Sequence, residues 1–452
     1  MAVSLPDLRA EATRLHRAGD LPAAARAYAR YLALRPDDAG IWSNLGVLHR
    51  AEGRHRVALK AQRKATALQP DDTGLLNNLA NILSDLGQYD ASIEIRHRIL
   101  RTHPDEANHK TMIGRCHRGK GDYAAAIDWL EAARTDHPDD AEFDMQLAFA
   151  RLGAGDYRQG LEDYKSRWRA GELTPRALPF AEWTGQPLKG KTIVVLPEQG
   201  FGDAVLFSRF LPVLKGRGAR VLAFVEKPLF RLMQGLGGAD LVTSEIKRSD
   251  PIDYWVNMMD LAALHFRDSD TVPSPVRLAV PEDSTARARA LTAPHDGRYK
   301  VGVVWSGSAT YKGNAFRSFS HRDLMPLTEL DGVQIFSLYK GPFLDAFHAD
   351  GSDAFMIDAG SSDRDFADCA AMMQAMDLVI TSDTATAHIA GSLGVPCWTV
   401  LHWDAFWVWR HHGETTEWYP GMRLFRQEVP LEWDNVMSDV AEALRARVSG
   451  MT

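Results

Sequence analysis

Three short polar segments of this 452-residue sequence combine residue types that could do chemistry. The first, EQGFGD, ends in Asp203, whose carboxylate could act as a general base toward an acceptor hydroxyl or simply cap a helix. Gly200 and Gly202 permit a tight turn and close approach of a ligand to the backbone. Glu198 and Gln199 belong to the same loop, which we assign to the acceptor side of a binding cleft.

The second segment, SDTATAH, follows the apolar run DLVIT and opens a predicted helix. Free backbone N–H groups at a helix start, together with the hydroxyls of Thr384 and Thr386, favour a phosphate group. Asp383 precedes these threonines, and His388 lies one helical turn beyond Thr384, where an imidazolium or a neutral N–H could donate to a diphosphate oxygen. The alternative is a capped helix with a histidine packed in the core.

The third segment, WSGS, contains Ser306 and Gly307 and is followed by Lys312 and Arg317. A glycine-bearing loop with a hydroxyl and two cations suits a departing diphosphate, because its developing charge needs fixed donors. Which of the two cations contacts the diphosphate stays open at this stage.

Alternating strands and helices must position these segments. KTIVVLP, RVLAFV, YKVGVV, VQIFSLY, MDLVIT and VPCWTVL read as buried strands with helices between them, which predicts parallel sheets. We predict a connecting segment over residues 173–190, a first Rossmann-like half over 191–280, a linker over 281–298 and a second Rossmann-like half over 299–452. Ligands of such sheets bind at the carboxyl ends of the strands, where all three polar segments lie.

The first third of the chain repeats with a period of 34 residues. Prolines recur at this spacing, and so do glycines: Pro36, Pro70, Pro104 and Pro138; Gly19, Gly53, Gly87, Gly121 and Gly155. Paired helices need a helix-ending proline and a tight-turn glycine at fixed positions, so residues 1–172 predict an α-solenoid of about five repeats. Its best copy contains Trp42, Leu45, Gly46, Ala58, Ala65 and Pro70, and it resembles the tetratricopeptide repeats.

Asn44 and Asn78 occupy the same position of successive repeats, on the helix that faces the concave groove in this architecture. An amide there can hydrogen-bond an extended peptide backbone, and similar asparagine rows line the superhelix of O-linked N-acetylglucosamine transferases. Plain surface amides are the equally weighted alternative, because Met112 and Gln146 occupy the next two copies.

The polar segments together resemble glycosyltransferases of the GT-B fold, specifically bacterial heptosyltransferases in a repeat-fused form. The resemblance implies that Asp203 is the catalytic base, that Asp383, Thr384 and His388 cradle the donor diphosphate, and that Lys312 or Arg317 contacts its phosphates. It also implies an inverting reaction with a nucleotide sugar as substrate and no cofactor. The ending WVWRHHGETTEWYPGMRLFRQ is shared with the repeat-fused members, and for its tryptophans we slightly favour loop packing over sugar stacking.

Composition excludes other classes of function. Lys and Arg total 52 against 59 Asp and Glu, so the chain lacks the basic excess that nucleic-acid binding requires. Cys116, Cys369 and Cys397 form no CxxC pair, and no spaced set of metal ligands occurs, so we expect no structural disulfide and no metal. With no secretory signal and no membrane span in the sequence, we expect a cytoplasmic protein.

The sequence therefore predicts a transferase that moves a sugar from a nucleoside-diphosphate sugar to an acceptor hydroxyl, most naturally on a protein presented by the repeat groove. Flagellin is one candidate acceptor. Two rival interpretations remain: a repeat scaffold whose second module binds a nucleotide sugar without turning it over, and a nucleotide-sugar epimerase that needs no acceptor.

Overall fold

The computed structural model describes residues 5–171 and 173–450. The chain divides into two compact units, one ending at Ala150 and the other beginning at Arg151. This division lies earlier than the predicted boundary at residue 172, because the last repeat helix packs with the second unit. Its Tyr157 ring lies 5.0 Å from that of Phe266.

Helices in pairs build the repeat region, as the 34-residue period predicts. Their bounds are α1 Leu5–Arg17, α2 Leu21–Leu34, α3 Ala39–Ala51, α4 His55–Leu68, α5 Thr73–Asp85, α6 Tyr89–Thr102, α7 Ala107–Gly119, α8 Tyr123–Asp136, α9 Ala141–Ala154 and α10 Tyr157–Asp163. The five periodic glycines turn the chain within each pair with φ between 69° and 89°, a region that other residues rarely adopt. The helical solenoid is therefore confirmed.

Local capping fixes where many of these helices begin. The carboxylate of Asp38 accepts a hydrogen bond from the Ile41 N–H at 3.1 Å, and that of Asp72 accepts one from the Leu75 N–H at 2.9 Å. Such caps satisfy backbone donors that have no partner inside the helix. Small and aromatic side chains fill the space between helices, with Ala24 and Tyr28 wholly buried.

The second unit contains strands that alternate with helices. The strands are β1 Ala181–Glu182, β2 Thr192–Leu196, β3 Arg220–Phe224, β4 Leu241–Thr243, β5 Tyr254–Asn257, β6 Tyr299–Val304, β7 Val333–Ser337, β8 Met356–Asp358, β9 Leu378–Ser382, β10 Cys397–Leu401 and β11 Met422–Arg426. The helices are α11 Phe201–Phe207, α12 Pro212–Gly216, α13 Lys227–Phe230, α14 Met258–Asp268, α15 Glu282–Thr292, α16 Asn314–Arg317, α17 Leu344–Ala349, α18 Phe366–Gln374, α19 Ala385–Leu393 and α20 Asp434–Ser449.

These strands form two fully parallel sheets in the described part of the chain. The first has the order β1-β5-β2-β3-β4 and the second the order β11-β10-β9-β6-β7-β8. The register pairs Ile193 with Val221 and Tyr254 in the first sheet, and Val303 with Ser337 and Ile380 in the second. A parallel-sheet α/β region after the repeats is thus confirmed.

In each sheet the chain leaves one strand toward the neighbour on one side and later returns to form the neighbour on the other side. These strands are β2 in the first sheet and β6 in the second. At such a point the loops after adjacent strands separate and leave a crevice, where ligands of open parallel sheets bind. EQGFGD follows β2, WSGS follows β6, and SDTATAH begins at the end of β9, the neighbour of β6.

Three stretches of the second unit show local structure that the strand pattern does not specify. The stretch 281–298, predicted as a linker, contains α15, whose alanine- and arginine-rich sequence is a good helix former after Pro281, and its role as a linker stays a prediction. After β2 the chain forms α11, a 3₁₀ turn and α12 instead of one continuous helix, because Pro212 cannot donate a helical hydrogen bond. After β3 only the four residues Lys227–Phe230 form the helix α13.

The connecting segment 173–190 is ordered and contributes β1 to the edge of the first sheet. Phe180 packs against the core residues of that sheet. Across the described residues, no helix combines the length and the apolar character needed to cross a membrane.

Candidate functional site

A buried ion pair between Arg167 and Glu198 holds the loop after β2. Arg167 Nε and Nη2 donate to the two carboxylate oxygens of Glu198 at 2.8 and 3.1 Å, and the Met259 N–H donates to the same carboxylate at 3.2 Å. Both side chains are almost wholly inaccessible to solvent. Glu198 is therefore an anchor of the loop, and its bonding leaves it turned away from an acceptor.

The next residue of this loop has a strained backbone. Gln199 has a φ of 55°, in the left-handed region that side chains other than glycine rarely adopt. Its side chain donates from Nε2 to the Tyr164 hydroxyl at 2.7 Å, which helps to hold this conformation. Non-glycine residues in such conformations cluster at functional sites, where the surrounding structure enforces the strain.

Asp203 lies in the first turn of α11, and one of its oxygens caps that helix. Oδ2 accepts a hydrogen bond from the Gly200 N–H at 3.0 Å, while the residue stays partly exposed. Burial raises the pKa of Asp203 to about 6; the Gly200 hydrogen bond opposes this, and the charges of Asp383 and Glu198 add to it. A carboxylate with this pKa is ionised at neutral pH and is still basic enough to accept a proton.

The loop after β9 places three threonine hydroxyls in one buried chain. Thr386 Oγ1 lies 2.6 Å from Thr381 Oγ1 and 2.6 Å from Thr384 Oγ1. The hydroxyl of Thr386 thereby bonds two other hydroxyls and supports the loop, and its role toward a phosphate stays a prediction. In the first turn of α19 the Ala387 N–H donates to the Thr384 carbonyl at 3.0 Å, so the N–H groups of Ala385 and Thr386 are the donors that this loop offers to an anion.

Two aromatic side chains enclose His388, which is buried. Its ring stacks on Trp409 with centroids 5.1 Å apart and an angle of 23° between the planes. Nδ1 lies 3.2 Å from the hydroxyl of Tyr419. Burial lowers the pKa of His388 to about 4, and the nearby Arg209 and Arg317 lower it further while Asp383 opposes them. The neutral imidazole is therefore the form at neutral pH, which removes the imidazolium alternative.

The loops after β2 and β9 contact each other directly. A methyl group added at Gly202 would lie 2.9 Å from His388 Cδ2 and 3.3 Å from Ala385 Cα. The missing side chain of Gly202 is thus what allows the GFGD turn to approach the start of α19. This contact brings the Asp203 loop and the predicted diphosphate loop to one place.

The loop after β6 completes the arrangement. A methyl group at Gly307 would lie 2.8 Å from Arg317 Nη2 and 2.9 Å from Thr384 Cγ2. Ser306 is buried and its hydroxyl is shared between Asn314 Nδ2 at 3.0 Å and Ser318 Oγ at 2.8 Å, so it shapes the loop.

The two candidate cations differ in position. Arg317 is half-buried beside Gly307, stacks on the Tyr311 ring at 4.6 Å, and its charge lowers the pKa of both Asp203 and His388. Lys312 is exposed. The structure therefore brings Arg317 to the site and leaves Lys312 in solvent.

Four residues of the candidate site could not be assigned a role from the sequence. Trp409 donates from Nε1 to Asp383 Oδ1 at 2.8 Å, and Tyr419 bonds His388. His402 follows β10, and the charges of Asp383 and Arg317 act on its imidazole. Arg209 lies 4.7 Å from the centroid of the Tyr419 ring. The position directly after β10 was a usable signal for His402, whereas Trp409 and Tyr419 lie in the irregular stretch between β10 and β11 and Arg209 reads as an ordinary helix residue.

Asn44 and Asn78 are half-buried and bond within the repeats. Asn78 Nδ2 donates to Ser43 Oγ at 3.1 Å, which joins α5 to α3, and the side chain of Asn44 hydrogen-bonds Tyr28. One donor of the Asn78 amide is thereby used for packing, and peptide binding by the two amides stays a prediction.

Within the described residues, no group of three or more histidine, cysteine, aspartate or glutamate side chains is arranged to hold a metal ion. The donors and acceptors that face each other are instead a carboxylate, a guanidinium, a neutral imidazole and helix N–H groups. Such a set can accept a proton at one point and stabilise growing negative charge at another.

One curated relative is Protein FlbA of Caulobacter vibrioides, 29% identical over 313 residues. The match covers 64% of this chain and 52% of FlbA, so the chain spans about half the length of this relative.

The solved structures that resemble the chain include MamA from Desulfovibrio magneticus RS-1, with 16% identity, coverage of 38% of this chain and 98% of that one, and a TM-score of 0.34. They also include YrrB, described as a TPR protein with an unusual peptide-binding site, with 17% identity, coverage of 36% and 83%, and a TM-score of 0.31. Residues 9–73 and 77–141 match the tetratricopeptide repeat family, and together with the paired helices this shows that the first third of the chain consists of tetratricopeptide repeats.

Proposed function

We propose that this chain is a glycosyltransferase that moves a sugar from a nucleoside-diphosphate sugar to an acceptor hydroxyl. The observation that carries the proposal is the contact of the Gly202–Asp203 turn with the start of α19, which places a partly exposed carboxylate opposite helix N–H groups and Arg317. The two parallel sheets, each with a crevice at its switch point, fit two Rossmann-like halves in a GT-B arrangement.

The reaction is a single displacement at the anomeric carbon. Asp203 takes the proton of the acceptor hydroxyl as that oxygen forms its bond to the anomeric carbon. The bond from this carbon to the diphosphate oxygen breaks on the opposite side, and both of its electrons leave with the nucleoside diphosphate. Arg317, the first N–H groups of α19 and the neutral His388 stabilise the charge that develops there.

The repeats supply the acceptor in this proposal. Tetratricopeptide repeats bind proteins, so a serine or threonine hydroxyl on a protein fits this chain better than a free saccharide. Because the hydroxyl must reach Asp203, the acceptor segment has to be extended or mobile when it reacts.

The first experiment measures which nucleoside diphosphate raises the melting temperature most, since ligand binding to the folded state stabilises by mass action. The sugar nucleotide chosen in this way is then incubated with wild type and with Asp203→Asn, and release of nucleoside diphosphate is measured. Asp203→Asn should bind the donor nearly as well and should lose turnover. Turnover retained in this variant would remove Asp203 from the role of base.

A non-catalytic repeat scaffold is the second candidate, because the family match lies wholly within the repeats. In that case a nucleotide sugar would bind to the wild type by isothermal titration, and no acceptor protein would release nucleoside diphosphate.

A further inference from the structure

The ring of His388 is fixed on three sides. Trp409 lies against its face, Tyr419 lies at its Nδ1 edge, and Gly202 approaches Cδ2. Because Cδ2 is bonded to Nε2, the edge that meets the GFGD turn also carries the second ring nitrogen. That edge lies where the Asp203 loop and the start of α19 come together.

The carboxylate of Asp383, whose charge acts on this ring, is already engaged. Asp383 Oδ1 accepts the indole N–H of Trp409 at 2.8 Å, and Trp409 is the ring stacked on His388. A carboxylate bonded to a histidine ring nitrogen favours the imidazolium form. Here the ring nitrogen bonds the neutral phenol of Tyr419, which favours a neutral imidazole.

Arg209 is the cation next to Tyr419, the phenol that bonds His388. Its guanidinium carries donors only, and it lies 4.7 Å from the centroid of the Tyr419 ring. The side chains of Arg209 and Ser392 are hydrogen-bond partners of the Tyr419 hydroxyl. Because a guanidinium can only donate, the Tyr419 oxygen accepts from Arg209, which leaves the O–H of Tyr419 to donate to Nδ1 of His388.

We propose that Tyr419 is a positioning residue that donates to Nδ1 and thereby holds His388 as the neutral tautomer with its proton on Nε2. The Nε2–H then donates to a phosphate oxygen of the departing group. The identity of that acceptor rests on the proposed function, whereas the tautomer is a property of the free protein. This gives the WYPG part of the tail a role beyond packing.

The test measures the tautomer directly in the full chain. Protein labelled with ¹⁵N-histidine gives long-range proton–nitrogen correlations in which protonated and unprotonated ring nitrogens are well separated, and comparison with His388→Gln assigns the signal among the 16 histidines. We expect a proton on Nε2 in the wild type and a mixture of tautomers in Tyr419→Phe. A proton on Nδ1 in the wild type overturns the proposal even if the variant fails to fold, and so does an unchanged spectrum in a folded variant.

Tyr28→Phe is the matched control, because it removes another Tyr–His contact, the 3.1 Å one with His16 in the repeats. It should leave the His388 signal unchanged, and a change there would contradict the assignment to Tyr419.

Inorganic pyrophosphate then probes the acceptor of the hydrogen bond without depending on the nucleotide base. It should shift the Nε2 signal of the wild type and bind Tyr419→Phe about three- to tenfold more weakly. A signal that does not move overturns the phosphate as acceptor. Failure of the proposed function is separable: tautomer control by Tyr419 would persist while no nucleotide sugar was turned over.

Discussion

Replacement of Asp203 by Asn should make the protein more stable while it abolishes turnover. The carboxylate sits in a position where burial raises its pKa from 3.8 to about 6, so the folded state tolerates its charge poorly. Asn keeps an oxygen that can accept the Gly200 N–H and removes the charge. A residue that only capped the helix would give the opposite result, because loss of a carboxylate from a helix start weakens its interaction with the helix dipole.

The size and the pH dependence of the change in unfolding free energy follow from the pKa values of Asp203 in the unfolded and folded states. The gap between 3.8 and about 6 corresponds to at most about 3 kcal/mol, and partial exposure of Asp203 reduces this. Because the folded pKa is raised, the folded state binds the proton more tightly, and stability from this group is lost as the pH rises from about 4 to about 6. The advantage of Asp203→Asn should therefore be largest above pH 6 and should vanish toward pH 4.

Urea unfolding of wild type and variant at pH 4.5, 6 and 7.5 gives the difference in their unfolding free energies. The other carboxylates are the same in both proteins, so their contributions cancel in this difference. Asp156→Asn is the control, because Asp156 is exposed and caps α10 by accepting the Gln159 N–H at 3.1 Å. Asn and Asp are about equal as caps, so its effect should stay within a few tenths of a kcal/mol at every pH. A less stable Asp203→Asn at pH 7.5 would refute the reasoning.

Three further changes test the arrangement of the loops. Gly202→Ala should lower the rate of nucleoside diphosphate release by about 100-fold and cost about 1–3 kcal/mol, since its methyl meets the buried imidazole edge, whereas Gly216→Ala has open space and should be neutral. Arg317→Ala should weaken pyrophosphate binding at least tenfold by calorimetry, and Lys312→Ala less than threefold; equal losses would contradict the positions of the two cations. Glu198→Gln should cost about 1.5–3 kcal/mol in urea unfolding because it removes one of the two carboxylates that pair with the buried guanidinium of Arg167, the other being Asp260, and a loss below about 1 kcal/mol would argue against the anchor.

Repetition and strand periodicity made most of the fold predictable. The 34-residue spacing of Gly53 and Gly87 reports a backbone requirement, because both have a left-handed φ. Apolar runs such as TIVVL are buried on both faces of a parallel sheet, so they stand out in the sequence. The helix α15 was not predicted, because the prolines before it drew attention away from the helix-forming residues that follow Pro281.

The site was predictable where a role depends on a strand end, and unpredictable where it depends on a contact between distant residues. Asp203, Arg317 and His388 follow strands, and the topology brings them together. The bonding of Thr386 and Glu198 inside the protein depends on Thr381 and Arg167, and no local pattern identifies such partners.

The aromatic tail, residues 407–427, can serve both packing and the candidate site. Trp418 donates from Nε1 to the Tyr157 hydroxyl at 2.9 Å and packs edge-on against that ring, so it holds α10. The next residue, Tyr419, bonds His388 and stacks on Trp409. Because consecutive side chains in an irregular segment can face different partners, one short stretch can fix the last repeat helix and the imidazole at once. A change at Tyr157 can therefore reach His388 through adjacent residues without touching the site itself.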